Sequence, residues 1–394
     1  MTESRRIVLS CLSVLACLAL AGCESDQAAN DVTVAPGLTG IRYLAGGDET
    51  SGFARATAPR NYFSFPGDHE AHPGFRTEWW YFTGNVFDSD QRHYGFELTF
   101  FRVALTPATQ TRESTLAANE IWMAHLTVTD TARGVFHVAE RLSRGAPGLA
   151  GVTTTNDQNG NSLTVAIEDF SAEFLENDVT LTASDAEFGI DLELTGLERI
   201  VAQGNNGLDP KGPEPGNASY YFSAPRLSVR GEIQSGDEAA VAVEGTAWMD
   251  REWSTSALSP DIEGWDWFAL QLDDGRDLMF YRLRGRDGGT SEFSGGSITS
   301  ALGSVTRLEA SSVNLEVTRE WTSDRTGVRY PVGWRMSLPA LDLDLEIDPR
   351  IDDQEIDLTV RYWEGAVTVS GSSSDAPVSG LGYLELAGYA PLAF

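Results

Sequence analysis

The chain has 394 residues and a formal net charge of -30, with 58 acidic against 28 basic side chains. Such a surface repels the phosphate backbone of nucleic acids and anionic lipid headgroups, so nucleic acid is excluded as a partner. Of three cysteines, Cys11 and Cys17 lie in an N-terminal apolar run and Cys23 closes it, which leaves the rest of the chain without a disulfide, a thiolate metal site or a cysteine nucleophile.

Residues 1–22 carry Arg5 and Arg6, then an apolar stretch too short to span a membrane, which is the pattern of a signal peptide. Leu20-Ala21-Gly22-Cys23 resembles the bacterial lipobox, which implies cleavage before Cys23 and acylation of its thiol. Several acyl chains anchor a protein stably where one does so only marginally. Glu24 after the cysteine implies, by the same resemblance, the outer membrane with the protein facing the periplasm. Residues 23–58 are polar, small and Gly-rich, and are expected to form a flexible tether.

From about Tyr62 the pattern is β. Phe188, Ile190, Leu192 and Leu194 alternate with Gly189, Asp191 and Glu193, and Leu341, Leu343, Leu345 and Ile347 alternate with acidic residues. A period of two over that length predicts antiparallel strands with one wet face. Leu272-Asp273-Asp274-Gly275 is a hairpin signal between two such runs. The one helix candidate is Arg112 to Asn119, and Gln203 to Asn217 reads as a long loop. Many short strands predict a sandwich or an up-and-down barrel, since closure removes exposed edges. Glu78-Trp79-Trp80-Tyr81-Phe82 with its acidic turn and Tyr94 to Leu98 is echoed by Gly264-Trp265-Asp266-Trp267-Phe268, a second acidic turn and Leu278 to Tyr281. The echo predicts two β domains built alike, residues 59–250 and 251–394.

The stretch Gly245 to Leu283 concentrates Trp248, Trp253, Trp265 and Trp267 beside Asp250, Arg251 and Glu252. Aromatics beside charges describe either a pocket wall or an aromatic seam whose charges form a structural Arg–carboxylate bridge. In a strand Asp250 and Glu252 face one way, Arg251 and Trp253 the other. The pocket version puts Arg251 and Trp253 in an aromatic cage with one permanent cation. Glu78, leading into Trp79 and Trp80, is a partly desolvated carboxylate with Arg76 or Arg102 as structural partner. His69 and His72, with Glu78 and His125, have the composition of a metal site, but two histidines three apart in a Pro-containing loop do not make one, and neither metal nor cofactor is expected. There is no G-x-S-x-G elbow to suggest a serine hydrolase.

The run His69 to Asn85, the segment Trp248-Met249-Asp250-Arg251-Glu252-Trp253, the Gly264 to Leu283 hairpin and the ending Gly382 to Tyr389 resemble the AttH and carotenoid 1,2-hydratase family. The resemblance implies an all-β chain of two consecutive lipocalin-like (calycin-type) antiparallel β-barrel domains. It also implies that Tyr281 approaches the pocket. Hydratase members place His and Trp, then Tyr and Asp, at positions that are Arg251, Trp253, Tyr281 and Leu283 here. Arginine donates no proton at ordinary pH, so a hydratase in this chain would need Asp250 or Glu252 as its acid, raised by desolvation. The candidate catalytic set is therefore Asp250, Glu252, Trp253 and Tyr281. The candidate ligand-binding set is Glu78, Trp79, Trp80, Arg251, Trp253, Trp265, Trp267 and Tyr281. Two functions stay open: a lipid-anchored protein binding an apolar or amphipathic, lipid- or isoprenoid-like molecule, or a hydro-lyase or hydrolase acting on one. AttH-like members are associated with ABC-type permeases, which implies such a permease as a partner.

Overall fold

A computed structural model describes residues 50–60, 62–107, 119–157, 160–255 and 258–390. The signal peptide, Cys23, most of the expected tether and nearly all of the helix candidate lie outside the described residues. The described end of the tether is docked onto the body. Phe53 and Ala56 are buried, and Ala54 gives its N–H to Gly74 O at 2.8 Å while its carbonyl accepts from the Thr255 hydroxyl.

The first sheet comprises β1 (Thr77–Asp88), β2 (His93–Ala104), β3 (Glu120–Asp130), β4 (Val135–Arg144), β5 (Ala150–Asp157), β6 (Gly160–Ile167), β7 (Phe170–Leu175), β8 (Asp178–Ser184), β9 (Phe188–Thr195), β10 (Val201–Ala202), β11 (Leu208–Pro210), β12 (Ala218–Ser235) and β13 (Val241–Ser254). The second comprises β14 (Ile262–Leu272), β15 (Asp277–Gly285), β16 (Gly295–Thr299), β17 (Val305–Glu309), β18 (Asn314–Thr322), β19 (Arg329–Leu338), β20 (Leu343–Pro349), β21 (Glu355–Asp357), β22 (Arg361–Ser373) and β23 (Ala376–Ala387). The protein is all-β, with two lipocalin-like antiparallel barrels, the first nearly closed and the second a half-barrel.

The orders are β4-β3-β2-β1-β13-β12-β9-β8-β7-β6-β5 and β17-β16-β15-β14-β23-β22-β20-β19-β18, with β10 and β11 on β12 and β21 on β22. In each, the opening aromatic hairpin, β1–β2 or β14–β15, is hydrogen-bonded through its first strand to the last strand of its own sheet. The echo in the sequence is thus an echo of topology. The first sheet continues past the expected boundary: β13 stays paired to β1 through Ser254, and the chain passes to the second sheet before Ile262.

Outlying strands follow the period-two rule. In β20 Leu343, Leu345 and Ile347 are buried and the acids between them exposed, and the turn before β15 uses Gly275 at φ +86°. The strands nearest the junction do not alternate. β1, β2, β13, β14 and β23 are buried along most of both faces. One face of each fills its own barrel. The other packs β1, β2 and β12 against β14, β15, β22 and β23 of the second sheet. Aromatic and charged residues on the outer faces of these strands are therefore enclosed, and this layer holds the site.

Candidate functional site

Alternation in β13 and β1 sorts the central residues into two compartments. Register places Glu78 opposite Trp253, Trp80 opposite Arg251, Trp79 opposite Glu252 and Tyr81 opposite Asp250. Glu78, Trp80, Arg251 and Trp253 point into the first barrel, and Trp79, Tyr81, Asp250 and Glu252 point between the barrels. Arg251 and Trp253 share a face, as expected, but it is not the face that lines the cavity between the sheets.

Inside the first barrel Arg251 is fully buried. Its Nη2 lies 2.7 Å from Glu78 Oε2 and donates to Glu70 O at 2.7 Å, while the guanidinium stacks 3.8 Å over the Trp80 ring. Glu78 Oε1 accepts from Arg102 at 3.0 Å, and the His72 backbone N–H donates to the same carboxylate at 2.9 Å. The His72 ring stacks on Trp253 at 3.8 Å. Burial alone would raise the Glu78 carboxyl, but Arg251, His72 and Arg102 outweigh it and hold it at about 2. This is the bridge of the seam reading. Glu78, Trp80, Arg251 and Trp253 are buried in the packed interior of the barrel, and none lines the cavity. His125 lies elsewhere, bonded to Tyr362 and Glu140, so the histidines do not converge.

The cavity lies between the sheets, with about 90 Å³ open to the centre of a water-sized molecule. Trp79, Phe101, Trp265, Trp267, Leu258, Leu283 and Val360 supply apolar wall. Polar groups are supplied by Lys211, Asp250, Glu252, Tyr81, Tyr221, Tyr281, Tyr362 and Glu385. Of the expected site residues, Trp79, Asp250, Glu252, Trp265, Trp267 and Tyr281 are brought together here.

The rest was missed, Lys211 most notably. It is the chain's single lysine and follows β11 in the segment expected to be only a loop. β10 and β11 pair with β12 and hold that segment against the body, which carries Asp209 and Lys211 to the cavity. Lys211 Nζ pairs with Asp209 Oδ2 at 2.7 Å, stands 3.8 Å from Glu252 Oε1 and sits 3.5 Å over the Tyr281 ring. The Tyr281 hydroxyl donates to Asp209 Oδ1 at 2.9 Å. Burial opposes the ammonium charge, but Asp209, Tyr281 and Glu252 outweigh it and raise its pKa. A lone lysine in a chain of arginines was the available signal.

Three carboxyls face this space in different states. Asp250 is clamped: Tyr221, Ser223 and Trp248 all donate to it, the last at 2.7 Å, and Trp267 Nε1 donates to the Tyr221 hydroxyl at 3.1 Å. Burial pushes Asp250 up to about 6 against those bonds. Burial pushes Glu252 up to about 7 against the pull of Lys211. Glu385 on β23, the cross-strand neighbour of Trp267, is pushed up by burial to about 8. Carboxyls with pKa values near neutrality in an aromatic enclosure are proton donors and acceptors suited to an apolar molecule.

The sequence profile of the AttH-like family matches residues 56–389. Among solved structures, a protein of Nitrosomonas europaea assigned as AttH is 32% identical, with a TM-score of 0.73 over 84% of this chain and 99% of its own. Kievitone hydratase from Nectria haematococca shares the fold at 14% identity, with a TM-score of 0.63 over 86% of this chain and 98% of its own. A protein named CghA does so at 14% identity and a TM-score of 0.52, over 89% and 99%. No curated protein matches the sequence.

Proposed function

This chain belongs to the AttH-like family, and from that premise we propose that it binds an apolar or amphipathic molecule, lipid- or isoprenoid-like, in the cavity between its barrels. The observation that carries this reading is the enclosed aromatic wall of Trp79, Trp265 and Trp267 with a cation and carboxyls set into it. Aromatic faces bury an extended apolar body, and a few fixed polar groups orient its head. The apolar dye N-phenyl-1-naphthylamine should quench tryptophan fluorescence and stabilise the fold by about 2.7 kcal/mol at a hundred times its Kd, read as a higher melting temperature. Leu283→Trp, which puts bulk into the cavity, should weaken the dye. Equal binding to that variant would place the dye elsewhere.

A second reading is favoured by the carboxyls: hydro-lyase chemistry on the bound molecule. Adding water to an isolated alkene begins with a proton delivered to carbon and leaves a cation, which aromatic faces stabilise. Leu283 stands at the cavity wall where hydratases have aspartate, and Glu252 and Glu385 line the same wall with carboxyls near neutrality. They take the acid's place in this reading. A gain of one water in the mass of a bound isoprenoid decides between carrier and enzyme.

The setting we propose is the cell envelope, with the chain anchored through an acylated Cys23 and an ABC-type permease as partner. Cys23→Ser should move the protein from membranes to the soluble fraction. Sedimentation of the variant with membranes would sink the anchor.

A further inference from the structure

Beside the cavity a chain of hydrogen bonds crosses from the second barrel to the first and ends at the surface. Tyr362 on β22 lines the cavity and is 4% exposed. Its hydroxyl lies 2.7 Å from Nδ1 of His125 on β3. The other ring nitrogen, Nε2, lies 3.1 Å from Oε1 of Glu140 on β4. His125 has no exposed surface, whereas the Glu140 side chain keeps 17% of its own. Thr359 donates its N–H and its hydroxyl to the Glu140 carboxylate, at 3.3 and 2.7 Å. The imidazole is fixed in orientation by stacking on Tyr362 and by the edge of Phe101, another cavity residue.

The partners assign the hydrogens. Burial acts to raise Glu140, but the bonds from His125 and Thr359 outweigh it and hold it below its ordinary value, as an anion. An ionised carboxylate only accepts, so Nε2 carries the imidazole hydrogen and Nδ1 is left to accept from Tyr362. A hydroxyl on an imidazole that is oriented in turn by a carboxylate is the arrangement that activates hydroxyl groups in catalysis. A buried tyrosine needs only one acceptor, and any backbone carbonyl would serve. Here the acceptor is instead a group that can take a proton at one nitrogen and release one from the other.

We propose that Tyr362, His125 and Glu140 form a proton relay between the cavity and solvent, serving an apolar ligand that carries an ionisable oxygen, an alcohol, enol or phenol. The proposal rests on the acid–base reading of the cavity. As the ligand or a water gives its proton to Tyr362 Oη, the tyrosine's own proton passes to His125 Nδ1, and the Nε2 proton passes to Glu140 Oε1 and on to solvent. Tyrosine and imidazole end neutral, the ligand oxygen keeps the electron pair, and nothing is oxidised or reduced. Transfer in the reverse direction returns the imidazole hydrogen to Nε2. Hydration needs one proton delivered to carbon and one removed from water, so a relay running both ways suits it.

The test uses the full chain without ligand. With tyrosine labelled by carbon-13, exchange of the Tyr362 hydroxyl hydrogen with solvent is read from the deuterium isotope shift at Cζ. Tyr383 on β23, 1% exposed, is the internal reference, since no histidine is bonded to it among the described residues. Tyr362 should exchange about a hundred times faster than Tyr383, the lower range of what a positioned proton carrier contributes. Glu140→Gln keeps an acceptor for Nε2–H but takes up no proton, and should slow Tyr362 by a similar factor while the protein stays folded, and Glu140→Asp should restore the rate. His125→Phe, which keeps the stacked ring, is the second variant if the first folds poorly. Tyr362 exchanging no faster than Tyr383, or equally fast in Glu140→Gln, overturns the relay. A cavity that takes no ligand would show instead as a silent dye titration, which leaves this comparison intact.

Discussion

Arg251→Met should lower the stability of the ligand-free protein by about 3–5 kcal/mol, the usual cost of removing one partner from a buried ion pair. The guanidinium sits inside the first barrel with no exposed surface and bonds Glu78, itself 1% exposed. Methionine fills much of the volume but leaves the carboxylate with Arg102 and His72 alone. Arg251→Lys should recover only part of the loss, because an ammonium cannot reach Glu78 and the Glu70 and Trp79 carbonyls from one planar fork. The pair also sets an acid limit. The folded Glu78 carboxyl lies at about 2, below its ordinary 4.5, so its stabilisation is complete above pH 4.5 and is lost as pH falls from there through 2. Urea melts across that range, with Glu78→Gln and the double variant completing a cycle, measure the coupling. Melts of Arg251→Met that overlay the wild type would mean the bridge does not hold the barrel.

The same residues mark where sequence reasoning reaches and where it stops. Alternation in β13 correctly divides Asp250 and Glu252 from Arg251 and Trp253, because a strand has only two faces. It does not say which face looks at a ligand. On a strand covered from both sides, pocket and core have the same aromatic composition, and only the register with β1 shows that Arg251 meets Trp80 and Glu78 inside the barrel. The hairpin echo was legible because each copy occupies the same place in its own sheet. Lys211 and Glu385 were not, since each reaches the cavity through pairing across many residues: Lys211 through β11 on β12, Glu385 through β23 on β14. Tyr362 and His125 come from different barrels and meet only when the barrels pack. Their spacing in the chain carries no trace of it.

Glu385→Gln should make the protein more stable than wild type in alkaline solution, by on the order of 4 kcal/mol, and nearly equal to it near the ordinary glutamate pKa. The folded carboxyl is raised from 4.5 to about 8, first by burial and then by Glu252 and Asp250 nearby. Between those values the native protein holds a proton that the unfolded chain releases. Stability therefore falls as pH rises through that window, opposite in sign to the contribution of Glu78. Glu252, raised to about 7, adds to the same trend. Glutamine carries no charge to bury, so the variant should lose this carboxyl's share of the slope, leaving that of Glu252 and the other raised carboxyls, while keeping the acid limit set by Glu78. The same proton is the one the hydro-lyase reading uses. At neutral pH Glu385 is a neutral acid facing an aromatic cavity, able to donate to carbon, and a ligand that expels water from around it holds that proton more firmly. Thermal melts of both proteins from acid to alkaline pH read the slope directly. An unchanged alkaline slope in Glu385→Gln would mean that this carboxyl is ionised at neutrality, and the hydro-lyase reading would then have to find its acid in Glu252 or Asp250.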